Sequence, residues 1–546
     1  MRQTRKRQPD PETFAITAIA ICLALAAFAI SLQRGYILLY GDAVAHINIA
    51  RRVFDSRTPG LLQLGTVWLP LLHLLMIPFI WPLSGWQSGA GGSVPSLVAY
   101  VFSVRGVFQL VRHALSSSAG PDRSARLPAW FAALIFAFNP SLLYLSTTAM
   151  TEPLYMALFI WAVVYFAKFM RVAKAESADQ SLLEKFLYLC GYCLAAAELT
   201  RYDGWFAAAV IVTVAIGMLL GEHQGIRRPS LMKFLLLCSA VPIFWIAYNA
   251  AVYRNPLEFA NGPYSARAIE QRSVRPGFPP HPGSHDLKAA SQYFVKSAED
   301  NLAEGFWQKP WLWIAFCGSL LVLFRNRGLS ALLLLWVPLP FYALSIAYGG
   351  VPIFVPTWWP FSYYNVRYGI GLLPAVAVFV SVAIYYLGRG LRPKSAQFAV
   401  ALVALAFVVG SYQSAWRAQP VSFREAWVNS RSRIALEREL ASNIRKLPPG
   451  ATLLMYLGDH VGALQDAGIP LSHVINEGNH RTWRQPSDPE GEWERALATP
   501  SSMADYAIGI DNDPVAHSAR THKLLAIAVI ETPGQPSATI YYTGRR

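Results

Sequence analysis

Gly41-Asp42-Ala43-Val44-Ala45-His46-Ile47-Asn48-Ile49-Ala50-Arg51-Arg52 follows directly on a basic and then apolar segment, Met1 to Tyr40. The apolar run Phe14 to Leu32 is too long for the hydrophobic part of a signal peptide, so it reads as an uncleaved membrane anchor. Asp42 then stands where the chain leaves the bilayer. His46 lies four residues on and shares a face with Asp42 if the stretch is helical. A carboxylate at the first membrane exit, followed by an amphipathic stretch with an arginine pair, points to chemistry at the membrane surface. The plainer reading is a helix N-cap, worth ~1 kcal/mol. The rest of the chain decides between the two.

The chain has 546 residues, 54% of them hydrophobic and 14% charged, with a mean hydropathy of +0.32. Soluble domains carry about 25% charged residues, so this composition reads as an integral membrane protein. The formal net charge of +15 does not call for nucleic acid. Its Lys and Arg cluster in short loops between apolar runs, which is a topology pattern. Cys22, Cys190, Cys193, Cys238 and Cys317 all lie in apolar runs and imply no disulfide framework. Cys190-Gly191-Tyr192-Cys193 has a redox spacing but falls inside an expected membrane helix.

Crossing a bilayer core takes ~20 apolar residues. Runs near 14–38, 93–112, 128–147, 153–170, 186–200, 204–220, 233–253, 310–324, 329–348, 369–387 and 396–412 predict about eleven crossings on that rule. Arg2, Arg5, Lys6 and Arg7 place the N-terminus in the cytoplasm. Alternation keeps Arg123/Arg126, Lys168/Arg171/Lys174, Arg227/Arg228, Arg325/Arg327 and Arg389/Arg392/Lys394 on that same side. The expected architecture is a polytopic all-α membrane domain over residues 1–412 of a cytoplasmic (inner) membrane protein. An extracytoplasmic α/β domain over 413–546 follows it.

Two external loops go with this topology. Residues 40–92 are amphipathic, and Pro70, Pro78 and Pro82 interrupt the apolar run Val67 to Leu83, which suits interfacial helices better than a span. Residues 254–309 are long, polar and proline-rich, as functional or disordered loops are. In the tail, strand-like runs (Thr452 to Leu457, Ala504 to Ile510, Leu524 to Ile530, Ala538 to Tyr542) alternate with helical ones (Ser430 to Leu447, Asp459 to Ala467). Its most polar turn, Gly458-Asp459-His460, reads as a helix cap, and the tail is expected to help bind an acceptor rather than make bonds.

Several polar clusters fall at the expected external ends of spans. They are Asp42 with His46, Thr151-Glu152-Pro153, Thr200-Arg201-Tyr202-Asp203-Gly204 and Asn365-Val366-Arg367-Tyr368-Gly369. Ionisable groups at membrane depth are costly and so mark candidate functional sites. Each has a plainer alternative: Glu152 complementing a helix N-terminus, Arg201 and Asp203 forming a surface pair, Arg367 snorkelling to the interface. His73, inside an apolar run, reads as a packed interfacial residue. Acids and arginines gathered at one side fit a site for an anionic, lipid-linked substrate.

These elements resemble the GT-C superfamily, the polytopic glycosyltransferases that use polyprenyl-phosphate-linked sugars. The group includes protein mannosyltransferases, aminoarabinose transferases and oligosaccharyltransferases. The resemblance covers roughly residues 1–412 and rests on Asp42, the following segment with Arg51-Arg52, Met150-Thr151-Glu152-Pro153, Arg201-Tyr202 and Arg367-Tyr368. It implies a catalytic base or metal ligand at Asp42 and an assisting acid at Glu152. The chain departs from the mannosyltransferases, whose first loop has paired acids, since Gly41-Asp42-Ala43 offers one. Thr357-Trp358-Trp359-Pro360 likewise lacks the acid of the oligosaccharyltransferase Trp-Trp-Asp motif. Bacterial members of the dolichyl-phosphate-mannose type look most similar.

The chemistry stands beside the resemblance. A lipid-phosphate sugar carries a good leaving group, so a carboxylate such as Asp42 would serve as general base toward an acceptor hydroxyl. Arg201 and Arg367 would clamp the phosphate, since a guanidinium fork pairs two oxygens. His46, Arg51, Tyr202, Asp203 and Tyr368 would complete the substrate contacts. Asp42, His46 and Glu152 could instead hold a divalent cation, Mg or Mn, although no second acid adjoins Asp42. The expected reaction moves a hexosyl or pentosyl group from a polyprenyl-phosphate donor to an envelope glycan, lipid or protein acceptor. The rival class is a transporter or flippase of lipid-linked glycans, which would show broken helices, midplane charges and related halves. A scaffold whose tail binds an envelope partner is the third.

Overall fold

Proline and glycine set the helix ends before packing acts. The computed structural model describes residues 10–116, 125–174, 179–220, 228–273, 279–325, 327–391, 393–458, 460–479 and 490–545. The basic residues Arg2, Arg5, Lys6, Arg7, Arg123, Arg227 and Arg392, and Asp459 of the expected cap, lie outside them. Pro11 opens the first helix, Pro11–Arg34. Gly35, at φ 69, closes it, with its N–H on the Leu32 carbonyl.

Among the described residues, seven helices are long and apolar enough to cross a bilayer. They are Pro11–Arg34, Ala90–Leu115, Thr151–Ala173, Arg228–Tyr253, Leu329–Tyr348, Val366–Gly390 and one within Lys394–Ile444. The other runs read as spans are also helical, in Gln180–Glu198, Tyr202–Leu220 and Gln308–Arg325. The run 128–147 is not one helix. It breaks into Arg126–Ala137 and Pro140–Leu145, because Asn139 caps the second piece through Leu142 N–H and Pro140 lacks a donor to continue the first. The loop 40–92 folds into short helices, Gly41–Arg52, Leu71–Ile80 and Leu83–Gln87. Leu71–Ile80 has 10 residues, about half of a bilayer crossing. The loop 254–309 carries the amphipathic helix Leu287–Leu302.

The tail forms a five-stranded sheet in the order β2-β1-β3-β5-β4. Its strands are β1 (Leu453–Met455), β2 (Val474–Ile475), β3 (Tyr506–Ile510), β4 (Leu525–Ile530) and β5 (Ala538–Tyr542). β2, β1 and β3 run parallel, and β5 is antiparallel to both β3 and β4. Four of the strands match the apolar runs of the sequence; two-residue β2 was too short to leave one.

The Gly41–Arg52 helix is wedged between bundle and tail. Gly92 lets it approach Ala90–Leu115, since a Cβ there would sit 2.6 Å from Ile47 Cγ1. On the other side Asn48 Nδ2 donates to Gln465 Oε1 at 2.7 Å, and Asp55 accepts from Ser472 N–H at 3.0 Å. The helix that starts the tail, Val421–Ile444, has its first turn within the bundle. Tyr40 OH donates to the Ser422 carbonyl at 2.7 Å, and Ser422 Oγ to the Ser141 carbonyl at 3.2 Å. A boundary at residue 412 therefore cuts through packed structure.

Candidate active site

Local turns deliver the polar clusters to one end of the bundle. Glu152 lies in the first turn of Thr151–Ala173, where the helix dipole favours negative charge. Arg201 follows Gln180–Glu198 in a tight turn, its N–H on the Ala197 carbonyl at 3.0 Å. Gly204 makes that turn possible, because a Cβ there would lie 2.5 Å from the Ala197 carbonyl carbon. Arg367 sits in a short 3₁₀ helix, Val366–Leu372, reached through Asn365 at φ 54. Asn tolerates this left-handed conformation, and its amide holds the Pro352 carbonyl at 3.0 Å. Two residues past Arg367, Gly369 admits the Leu287–Leu302 backbone, which a Cβ would meet at 2.3 Å.

Arg367 is the hub. Its Nη2 donates to Asp42 Oδ2 at 2.5 Å, its Nε to Glu152 Oε1 at 3.2 Å and its Nη1 to Glu425 Oε1 at 3.4 Å. Its backbone N–H donates to Glu425 Oε2 at 3.0 Å. The Tyr40 and Tyr368 rings lie 5.0 and 4.9 Å from the guanidinium carbon, so aromatic faces cover it. Asp42 stands apart from the other acids: its side chain is 44% exposed, against 5% for Glu152 and 1% for Glu425.

Arg201 forms a second, closed corner. Its Nε donates to Asp203 Oδ1 at 3.1 Å, its Nη1 to Thr151 Oγ1 at 2.7 Å and its Nη2 to Tyr342 OH at 2.9 Å. Tyr342 OH in turn donates to Asp203 Oδ2 at 2.7 Å. The two corners share Glu152 Oε1, 3.3 Å from Arg201 Nη1. They also share Tyr368, whose ring lies 5.0 Å from the Arg201 guanidinium carbon. Glu152 Oε2 is buried with no hydrogen-bond partner among the described residues. Two guanidiniums thus face four carboxyl groups, those of Asp42, Glu152, Asp203 and Glu425. Every nitrogen of the two guanidiniums already faces an acceptor.

Asp42, Glu152, Arg201, Asp203, Arg367 and Tyr368 therefore come together, and three other residues correct the expectation. Arg51 is buried and bonds Asp55 at 2.8 Å and the Ile80 and Trp81 carbonyls at 2.8 and 3.0 Å. It pins the loop. Tyr202 turns to the first loop, donating to the Val67 carbonyl at 3.1 Å and stacking on Phe259. His46 pairs through Nδ1 with His73 Nε2 at 2.9 Å and packs its ring 4.4 Å from Trp68. Burial first, then the charges of Arg367 and Arg201, push His46 down to about 3, so the imidazole is neutral at pH 7. Asp42, His46 and Glu152 do not form a metal set: among the described residues no three His, Cys, Asp or Glu side chains converge to hold an ion.

Sequence reasoning missed Glu425, Tyr40 and Tyr342. Tyr342 had a signal, being the one hydroxyl-bearing ring in the apolar run Pro338-Leu339-Pro340-Phe341-Tyr342-Ala343-Leu344. Glu425 had none, because a glutamate in the polar helix Val421–Ile444 is unremarkable until its contact is seen.

No protein-family model matches the chain, and no curated protein matches it in sequence. Its fold is shared with crystal structures of a membrane protein. The likeness is to the aminoarabinose transferase ArnT from Cupriavidus metallidurans. In the apo crystal structure it has a TM-score of 0.60 at 13% identity, covering 96% of this chain and 97% of that one. In the structure bound to undecaprenyl phosphate the TM-score is 0.59, with the same identity and coverage.

Proposed function

We propose that this chain is a membrane glycosyltransferase that moves a sugar from a polyprenyl-phosphate donor to a hydroxyl of an envelope glycan, lipid or protein. The observation that carries this reading is Asp42: a half-exposed carboxylate held on a buried arginine where the first long helix gives way to the loop 40–92. Asp42 takes the proton of the acceptor hydroxyl as its oxygen bonds to the anomeric carbon. The carbon–oxygen bond to the phosphate breaks, and the polyprenyl phosphate leaves with both electrons of that bond. Arg367 faces the charge that develops on the phosphate. Glu152, Glu425 and Arg201 hold Arg367 in place, and Tyr368 lies between the two arginines. No step is routed through a metal, because the expected ligands do not meet. A fold shared with a protein solved with undecaprenyl phosphate bound supports a lipid-phosphate donor. Glu425, from the first helix of the tail, bonds Arg367, which supports an acceptor on the tail's side of the membrane, with the N-terminus inside and the tail outside the inner membrane.

The test is Asp42→Asn in purified protein given radiolabelled polyprenyl-phosphate sugars and envelope extract. General-base catalysis contributes typically 10²–10⁴-fold, so turnover is expected to fall by about that factor at unchanged protein yield. An Asp42 that serves only to hold Arg367 predicts an active variant, since Asn keeps an oxygen for that contact. A fully active variant removes the base from this mechanism.

A further inference from the structure

We infer that Asp42 occupies the phosphate position on Arg367, and that an incoming lipid phosphate displaces it and so releases the base. The inference rests on the proposed donor class and concerns how the site is switched on. Three sides of Arg367 are closed. Glu152 holds Nε, Glu425 holds both Nη1 and the backbone N–H, and the Tyr40 and Tyr368 rings cover the guanidinium. Only Nη2 points at a group that water reaches, the 44%-exposed Asp42.

Exchange at that edge is easy and exchange elsewhere is not. Releasing Asp42 returns a half-hydrated carboxylate to water, whereas releasing Glu425 would strand a buried one. A phosphate oxygen pairs with a guanidinium as well as a carboxylate does, so the arginine loses no charge-assisted bond. Arg201 offers no such place, its three nitrogens being engaged by Asp203, Thr151 and Tyr342. Once displaced, the Asp42 carboxylate is free to accept a proton from a hydroxyl beside the phosphate ester. Before displacement its Oδ2 is engaged by Arg367. The Asp42 oxygen that the arginine holds is thus withheld until the donor is in place, and displacement frees both oxygens for the acceptor.

The test measures binding with no sugar present. Wild-type protein, Asp42→Asn and Asp42→Ala are reconstituted in nanodiscs and titrated with undecaprenyl phosphate, inorganic phosphate and undecaprenol. If Asp42 competes with phosphate, both variants bind undecaprenyl phosphate about five- to tenfold more tightly than wild type, since each loses the competing ion pair and its like-charge repulsion. Undecaprenol binding is unchanged. The same gain with inorganic phosphate shows that the phosphate group alone displaces Asp42. A gain confined to undecaprenyl phosphate supports displacement by the lipid headgroup. Equal or weaker binding by both variants, with wild type binding well, overturns the exchange and leaves the donor class standing. Wild-type protein that binds no polyprenyl phosphate overturns the donor class itself.

Discussion

The Arg201 and Arg367 corners are built from the same parts and behave as opposites. Each has an arginine side chain with little exposure, 13% for Arg201 and 6% for Arg367, a share of Glu152 Oε1 and a contact with the Tyr368 ring. In the Arg201 corner Asp203, Thr151, Tyr342 and Glu152 are all buried and belong to the bundle. In the Arg367 corner one partner is exposed Asp42 and another, Glu425, comes from the start of the tail. Burial makes an ion pair expensive to break, and exposure makes it exchangeable. The same arginine chemistry therefore locks one corner and leaves the other open to a ligand.

The comparison can be broken at its strong end first. Arg201→Met leaves Asp203 without its counter-charge and Glu152 with Arg367 alone, and removing one partner of a buried pair costs about 3–5 kcal/mol. Thermal unfolding in detergent should show a large loss of stability. Asp42→Asn removes an exposed pair, and less than ~1 kcal/mol should go with it. Equal melting temperatures for the two variants would abolish the distinction between the corners.

Glu425→Gln tests the bridge to the tail at intermediate scale. The amide keeps the shape but presents an N–H where the arginine needs an acceptor, and an unsatisfied buried group costs about 1–3 kcal/mol. Stability should fall by that amount, with weaker donor binding as Arg367 loses a support. A variant with wild-type stability and binding would make Glu425 a bystander. The smallest effect is expected for Tyr342→Phe, which deletes the hydroxyl joining Arg201 to Asp203 and should cost about 1 kcal/mol. Its donor binding should be unchanged, because the Arg201 corner does not open. Weakened binding in this variant would show that the two corners communicate through Tyr368.

Much of the helical bundle was legible, since apolar runs long enough to span announce themselves. So were Asp42, Glu152, Arg201 and Arg367, because charge at the end of an apolar run is costly and must be used or satisfied. Proximity in sequence then misled. Arg51 lies nine residues after Asp42, half a turn out of phase on a 3.6-residue helix, so it points away from the site. Tyr202 follows Arg201 directly but opens the next helix, and its hydroxyl turns to the first loop. His46, four residues on, does stay near the arginines. The split of the 128–147 run at Asn139 was readable from its Asn-Pro pair, although the run's hydropathy masked it. Glu425 was not readable, because only the packing of two regions brings it to Arg367.

That last contact has a consequence for how the protein is made. Synthesis runs from the N-terminus, so Asp42, Glu152, Arg201 and Arg367 all leave the ribosome before Glu425 does. A nascent chain halted after residue 412 would hold every expected span and most of the polar cluster, yet its hub arginine would lack the carboxylate that grips both its side chain and its backbone. Competence then arrives late in translation, as the Val421–Ile444 helix docks. Unfinished or prematurely terminated chains would sit in the membrane with that arginine short of a support.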